Sequence, residues 1–117
     1  MSRHATCGKA VLHSLFELQD GGREEDFRVS FDDYVRHLVE LGYALDGRLM
    51  HRKPLEGFGR RLPHFSYYAA IAFADLEREQ ACYDYVARNA EPVRSIHMAM
   101  NSQVKRGSAY FFVSCDV

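Results

Sequence analysis

Two arginines in the stretch "GRLMHRKP" (residues 47–54) stand at a spacing that could bind a small anion. The stretch has the length and flanks of a strand, and side chains alternate along a strand, so Arg48 and Arg52 should share one face while Leu49 lies on the other. Guanidinium groups bind carboxylates and phosphates through paired hydrogen bonds. If the fold places both guanidinium groups in a partly enclosed space, they need hydrogen-bond acceptors there.

Three explanations of these arginines stay open. An internal salt bridge, such as Arg52 with Glu17, would satisfy the charge, because an unpaired buried charge costs several kcal/mol. An anionic ligand would do the same from outside the chain. Solvated arginines on an edge strand are the third explanation.

His13 is predicted to lie on the same strand face as Glu17. A histidine beside a carboxylate can act as a general acid or base near neutral pH, although a histidine on a strand is also a common structural group. Tyr68, in "HFSYYAAIAF", is either a core ring or a contact to a ligand.

His97 and Asn101 are four residues apart on a predicted helix and therefore share a side. They could hold a polar group of a ligand, bind each other, or cap the helix. His13, Glu17 and His97 could bind a metal only if the fold brought them together, so we predict no metal site.

Several chemistries are excluded by motif and charge. The chain has no GxGxxG, P-loop, GxSxG or HExxH pattern, and we expect no cofactor. "RGSAYFFV" (residues 106–113) faintly resembles an RNA-binding signature, yet the formal net charge of −1 argues against nucleic acid as a partner. Without a run of about 18 apolar residues or a secretory signal, the chain is predicted to be cytoplasmic and free of membrane spans.

The three cysteines are odd in number and widely spaced, which argues against a disulfide framework and a structural zinc site. Cys82 and Cys115 are expected to be small buried apolar residues. A chain of 117 residues is the size of one domain, here residues 1–117, with a core over about 11–115 and a flexible segment 1–9.

The helices and strands that must position these residues are predicted from the spacing of apolar residues and from the turn and cap residues between them. Helical spacing predicts one helix over residues 23–41, a second from Asp75 to about Arg88, and a third over residues 92–105. Four strands are predicted in the remaining segments, with a Gly-rich loop between the second and the third. Their ranges are 11–19, 44–53, 64–73 and 108–117.

The order strand, helix, strand, then strand, helices, strand predicts a ferredoxin-like α+β fold. Its four-stranded antiparallel sheet carries helices on one face only. The other face would expose Leu15, Met50, Tyr68 and alternate rings of 110–113, a large apolar patch of the kind that marks an interface. A homodimer stacked sheet on sheet would cover it.

The chain resembles the dimeric α+β barrel superfamily and, within it, a small bacterial family of uncharacterised domains. "HSLFELQDG", "GRLMHRK", "LPHF…IAFADL" and "PVRSIHMAMNSQV" carry the resemblance, which covers most of residues 11–114. The chain differs from that family in its ring-rich third strand, "HFSYYAA", and in its C-terminal "SCDV".

The resemblance implies a barrel interior between two subunits, where superfamily members include cofactor-independent monooxygenases, isomerases and haem enzymes. The first functional hypothesis is that this interior binds a small organic molecule, with an organic anion as one candidate, through residues such as His13, Arg48, Arg52 and Tyr68. The alternative is a non-catalytic dimeric module in which the same polar residues pair with each other. A ligand-sized cavity with unpaired polar groups would favour the first hypothesis.

Overall fold

The computed structural model describes residues 8–53, 55, 57, 59 and 65–117. The elements follow in the predicted order. The strands are β1 (Ala10–Phe16), β2 (Asp46–His51), β3 (Tyr67–Phe73) and β4 (Tyr110–Cys115). The helices are α1 (Glu24–Glu40), α2 (Leu76–Ala87) and α3 (Val93–Asn101).

The sheet is antiparallel with strand order β2-β3-β1-β4. This is the predicted ferredoxin-like α+β fold. Each strand is a few residues shorter than its prediction, and the end of the first predicted strand makes only an isolated bridge, Leu18 to Val104. Most of the predicted Gly-rich loop, like Cys7, lies outside the described residues.

Local chemistry accounts for the helix boundaries. α1 starts with Glu24 and Glu25 at the positive end of its dipole. Its C-terminal turn passes through Gly42 at φ 79, a conformation that suits glycine. α2 begins where the Asp75 carboxylate accepts a hydrogen bond from the backbone N–H of Arg78 at 2.8 Å, which confirms the predicted cap.

The core lies between one face of the sheet and the helices, and we call that face the helix-side face. Leu38 of α1 is fully buried, and so are Phe73 of β3 and Val93 of α3, within 2% exposure. Gly47 lets β2 approach α1 closely, because a Cβ there would lie 2.5 Å from Cγ2 of Val35. The third helix ends at Asn101, earlier than predicted, but Ile96 and Met100 within it and Val104 beyond it pack against the core as predicted.

None of the three described helices packs on the opposite face of the sheet, here called the open face. The register places Leu15 opposite Tyr68 and Tyr110, and Met50 opposite Tyr68, in one row across all four strands. Tyr110 and Phe112 are 56% and 52% exposed. The predicted apolar patch is therefore present in the single chain.

The cysteines differ from one another. Cys82 is buried and free as predicted, and burial raises the pKa of its thiol to about 11. Cys115 is disulfide-bonded, so the expectation of a free, buried apolar residue is wrong there. Spacing in the sequence does not reveal which cysteines a fold brings within bonding distance.

No helix in the described part of the chain is long and apolar enough to cross a bilayer.

Candidate functional site

A cavity of about 110 Å³ lies between the helix-side face of the sheet and the helices α1 and α3. Its wall is mostly apolar because each contributing element turns its hydrophobic stripe inward. The apolar lining includes Leu12, Phe16, Phe31, Ile71, Met100 and Val104. Phe111 of β4 also lines the cavity although it is 64% exposed, and it therefore lies where the cavity meets solvent.

Four polar side chains converge on this apolar space. Ser14 enters from β1, Tyr34 from α1, and His97 and Asn101 from one side of α3, as their spacing predicted. The rings of Tyr34 and His97 are tilted by 51° with centroids 5.4 Å apart. Within the described part of the chain, none of the four side chains makes a hydrogen bond.

Burial decides the charge states in the cavity. It lowers the pKa of His97, because an imidazolium ion is poorly solvated among apolar side chains. It also raises the pKa of Tyr34, where the nearby Cys82 adds a smaller effect. Both groups are therefore neutral at pH 7, and together they offer hydrogen-bond donors and acceptors without charge.

A second polar cluster occupies the open face around His13. Its Nδ1 lies 2.6 Å from the hydroxyl oxygen of Tyr68, and its Nε2 lies 2.7 Å from Oγ of Ser114. The imidazole also stacks on Phe112 at a centroid distance of 4.4 Å. Both ring nitrogens thus have partners inside the chain, unlike those of His97.

The basic residues of the second strand do not form the expected pair with Glu17. Arg48 lies on the open face opposite Ala70, as predicted, and is exposed. Glu17 accepts hydrogen bonds from the backbone N–H and the hydroxyl of Ser66, the latter at 2.9 Å. Arg52 donates from Nη1 to the carbonyl of Phe65 at 3.1 Å. Among the described residues, Glu17 and Arg52 bind these neighbours rather than each other.

The structure separates the predicted site into two parts. His13, Arg48 and Tyr68 belong to the open face, whereas His97 and Asn101 belong to the cavity on the other side of the sheet. A metal site of His13, Glu17 and His97 would have to bridge the sheet. No group of three or more His, Cys, Asp and Glu side chains in the described residues could hold a metal ion.

Sequence reasoning missed Ser14 and Tyr34 as cavity residues. Ser14 interrupts an otherwise apolar strand face between Leu12 and Phe16, which is a usable signal because a polar side chain in an apolar row needs a reason. Tyr34 stands within the apolar stripe of α1, where a ring with a hydroxyl is not distinguishable from an ordinary core residue.

Solved structures with the same fold come from several organisms. A dimeric ferredoxin-like protein of unknown function from Jannaschia sp. CCS1 has TM-score 0.62 and 12% identity, over 92% of this chain and 98% of its own. SnoaB, a cofactor-independent oxygenase from Streptomyces nogalater, has TM-score 0.61 and 10% identity, over 92% and 91%. A dimeric protein of unknown function from Bacteroides fragilis has TM-score 0.55 and 13% identity, over 92% and 96%.

These identities are low enough that the likeness establishes the fold alone. Comparison with curated proteins gives no significant match. A family model does match, over residues 10–113, which is nearly the whole chain. The protein therefore belongs to DUF6614, a family of unknown function whose structural neighbours are dimeric ferredoxin-like proteins.

Proposed function

We propose that the protein is a homodimer that binds a small, mainly apolar organic molecule in the cavity between α1, α3 and the sheet. The observation that carries the proposal is the convergence of Tyr34, His97 and Asn101 on an apolar cavity in which their side chains have no partner within the described chain. Asn101 is exposed, and every fully buried side-chain N or O atom of the described residues has a partner, so these polar groups reach water in the single chain. A ligand with its own polar group could replace that water while its apolar part filled the cavity.

The lining favours a neutral ligand over an anion. Neither Arg nor Lys is among the described residues that line the cavity. A carboxylate would have to shed its water without a cation to replace it, which is costly. A hydroxyl or carbonyl group suits neutral His97 and the Asn101 amide, since both can donate and accept. The anionic ligand inferred from the arginines therefore does not fit this cavity.

The volume sets an upper limit on what can be enclosed. A cavity of roughly 150 Å³ admits a benzene ring in other proteins. The 110 Å³ here is smaller, so it encloses at most a single ring or a short branched chain. A larger molecule would extend past the exposed ring of Phe111, which offers a stacking surface.

The open face supports the second half of the proposal, which is the homodimer. Its row of Met50, Tyr68, Leu15 and Tyr110 is apolar, and its main polar group, His13, is already hydrogen-bonded on both nitrogens. Such a surface can be buried against a second copy with His13 already paired, while the exposed Arg48 and Asp46 on the edge strand β2 suit the polar rim of an interface. Relatives described as dimeric have the same fold.

The alternative function, a non-catalytic dimeric module, is favoured by one specific observation. The pairing of His13 with Tyr68 and Ser114 is what the alternative expects of interior polar residues. A non-catalytic dimeric module accounts for the polar groups of the open face. It gives no role to Tyr34, His97 and Asn101 in the cavity. A binding test on the cavity therefore separates the two functions.

Thermal unfolding with phenol as the neutral probe and benzoate as the anionic probe tests the proposal. Phenol should raise Tm in a saturable way, because a ligand at ten times its Kd stabilises by about 1.4 kcal/mol. Benzoate should have little effect. His97→Leu should abolish the phenol effect, whereas Met98→Leu, at an adjacent position that is 53% exposed, should keep it. Equal responses of the two variants would refute the cavity as the site.

A further inference from the structure

His13 lies near the middle of the open face. Its neighbour on one side is Ala70 of β3, and on the other it is Phe112 of β4, on whose ring the imidazole stacks with an angle of 9° between the planes. On the β3 side Ala70 is small, and the imidazole is covered instead by the ring of Tyr68, at a centroid distance of 5.8 Å. A second sheet packed on the open face would cover the imidazole almost entirely.

The two hydrogen bonds of His13 do not by themselves select a protonation state. A neutral imidazole donates from one nitrogen and accepts at the other, and the hydroxyls of Tyr68 and Ser114 can each take the matching role. An imidazolium would donate to both hydroxyl oxygens. Solvation therefore decides between the two states, and burial already lowers the pKa of His13 in the single chain.

The charged groups around His13 do not compensate a positive charge there. Arg48 stands in the same cross-strand row, two strands away across Ala70, or roughly 10 Å between backbones, and it disfavours a second cation. Asp46, the acidic residue on the same face of β2, pairs with Ala72 in a different row. Among the described residues, the remaining charged or titratable groups on or beyond this face are Lys9, Glu17, Arg52, Tyr68, Tyr110 and Asp116.

We infer that the open face is a homodimer interface whose association weakens in acid, because His13 must be neutral when the two sheets stack. The inference rests on the proposed homodimer and adds its regulation. A second copy is the occupant, since an apolar face whose central histidine is already paired suits a surface of the same kind, and proteins with this fold are described as dimeric.

The direction of the effect follows from linkage. Association lowers the pKa of His13 further, so the free chain binds protons more readily than the dimer. Dimer stability is complete above the pKa of the free chain, which lies below the ordinary value of 6.5, and is lost as the pH falls from there toward the pKa in the dimer. Two His13 side chains enter each dimer, so the dissociation constant rises by up to about 100-fold per pH unit within that window.

Sedimentation equilibrium of the full chain at about pH 8 and about pH 5 tests this inference, with circular dichroism confirming a folded protein at both values. The wild type should be a dimer at the higher pH and shift toward monomer at the lower. His13→Gln keeps a neutral polar group and should give a dissociation constant that does not change with pH. His51→Gln, on the other face and 72% exposed, should behave like the wild type.

His13→Phe provides a second variant if Gln disturbs folding, because it keeps the stack on Phe112. A wild-type dimer equally tight at both pH values would overturn the inference while leaving the homodimer intact. Acid dissociation that persists in both His13 variants would overturn it too, because another group would then be responsible. A monomer at both pH values would instead refute the homodimer itself.

Discussion

His97 packs beside Tyr34 in the wall of the cavity with 5.4 Å between ring centroids, and neither side chain has a hydrogen-bond partner within the described chain. The fold thus keeps two neutral polar groups together in apolar surroundings. The polar atoms of both side chains reach water, since no fully buried side-chain N or O atom of the described residues lacks a partner, and the two groups therefore add little to stability. The contribution of His97 and Tyr34 to folding can therefore be measured separately from their contribution to ligand binding.

The first prediction concerns the contribution of His97 to stability. Replacing His97 with Leu should leave the free energy of unfolding unchanged or raise it by about 1 kcal/mol, because the imidazole makes no hydrogen bond within the described chain and Leu would bury more apolar surface. Urea denaturation monitored by circular dichroism measures the change. A loss of more than about 2 kcal/mol would show that His97 is a structural residue.

The second prediction concerns the dimer. Phe112 lies on the open face and Phe111 on the helix-side face of the same strand, and both are more than half exposed in the single chain. Phe112→Glu should convert the dimer to monomer, because it buries a charge at the interface. Phe111→Glu should leave the dimer intact. Sedimentation velocity at micromolar protein should find twice the 13.5 kDa chain mass for the wild type. If both Phe112→Glu and Phe111→Glu remained dimeric, that result would contradict the assigned interface.

The third prediction tests the contact between α1 and β2. Gly47→Ala should destabilise the protein by about 1–3 kcal/mol, since the new Cβ would lie 2.5 Å from Cγ2 of Val35. Val35→Ala should relieve that clash, so the double variant should be more stable than the sum of the two single effects. Additive losses in thermal unfolding would show that the two positions do not touch.

The fourth prediction uses two leucines near the end of α1. Leu38 is 0% exposed and Leu41 is 49% exposed. Leu38→Ala should cost about 2–5 kcal/mol of unfolding free energy through lost burial and a cavity, whereas Leu41→Ala should cost well under half as much. Similar losses in chemical denaturation would mean that the helix is rotated about its axis from the orientation described here.

Most of the fold could be predicted from the sequence because its signals are local. The apolar spacing of α1 and the cap at Asp75 depend only on residues close in sequence. Strand alternation places Arg48 and Leu49 on opposite faces of the sheet without any tertiary information. The exposed apolar face could also be predicted, since alternation on four strands leaves one side without a covering helix.

The candidate site could be predicted only in part, because it depends on which face each element turns to which partner. His13 and His97 looked like members of one site, yet a sheet lies between them. The Arg52–Glu17 pair, one of the three explanations of the arginines, is absent among the described residues for a similar reason. Ser66, in the segment before β3, donates its hydrogen bonds to Glu17. That contact joins residues far apart in the sequence, so the local sequence of either residue does not predict it.

The most direct test of cavity binding is to locate a bound molecule by NMR, through intermolecular nuclear Overhauser effects between phenol and the methyl groups of the protein. The two faces of the sheet carry distinguishable methyl groups, Leu12 and Ile71 at the cavity and Val11 and Leu15 on the open face. The proposal predicts contacts from phenol to Leu12, Ile71 and Val104 that disappear in His97→Leu. Contacts to Val11 and Leu15 instead, or none at saturating phenol, would contradict it.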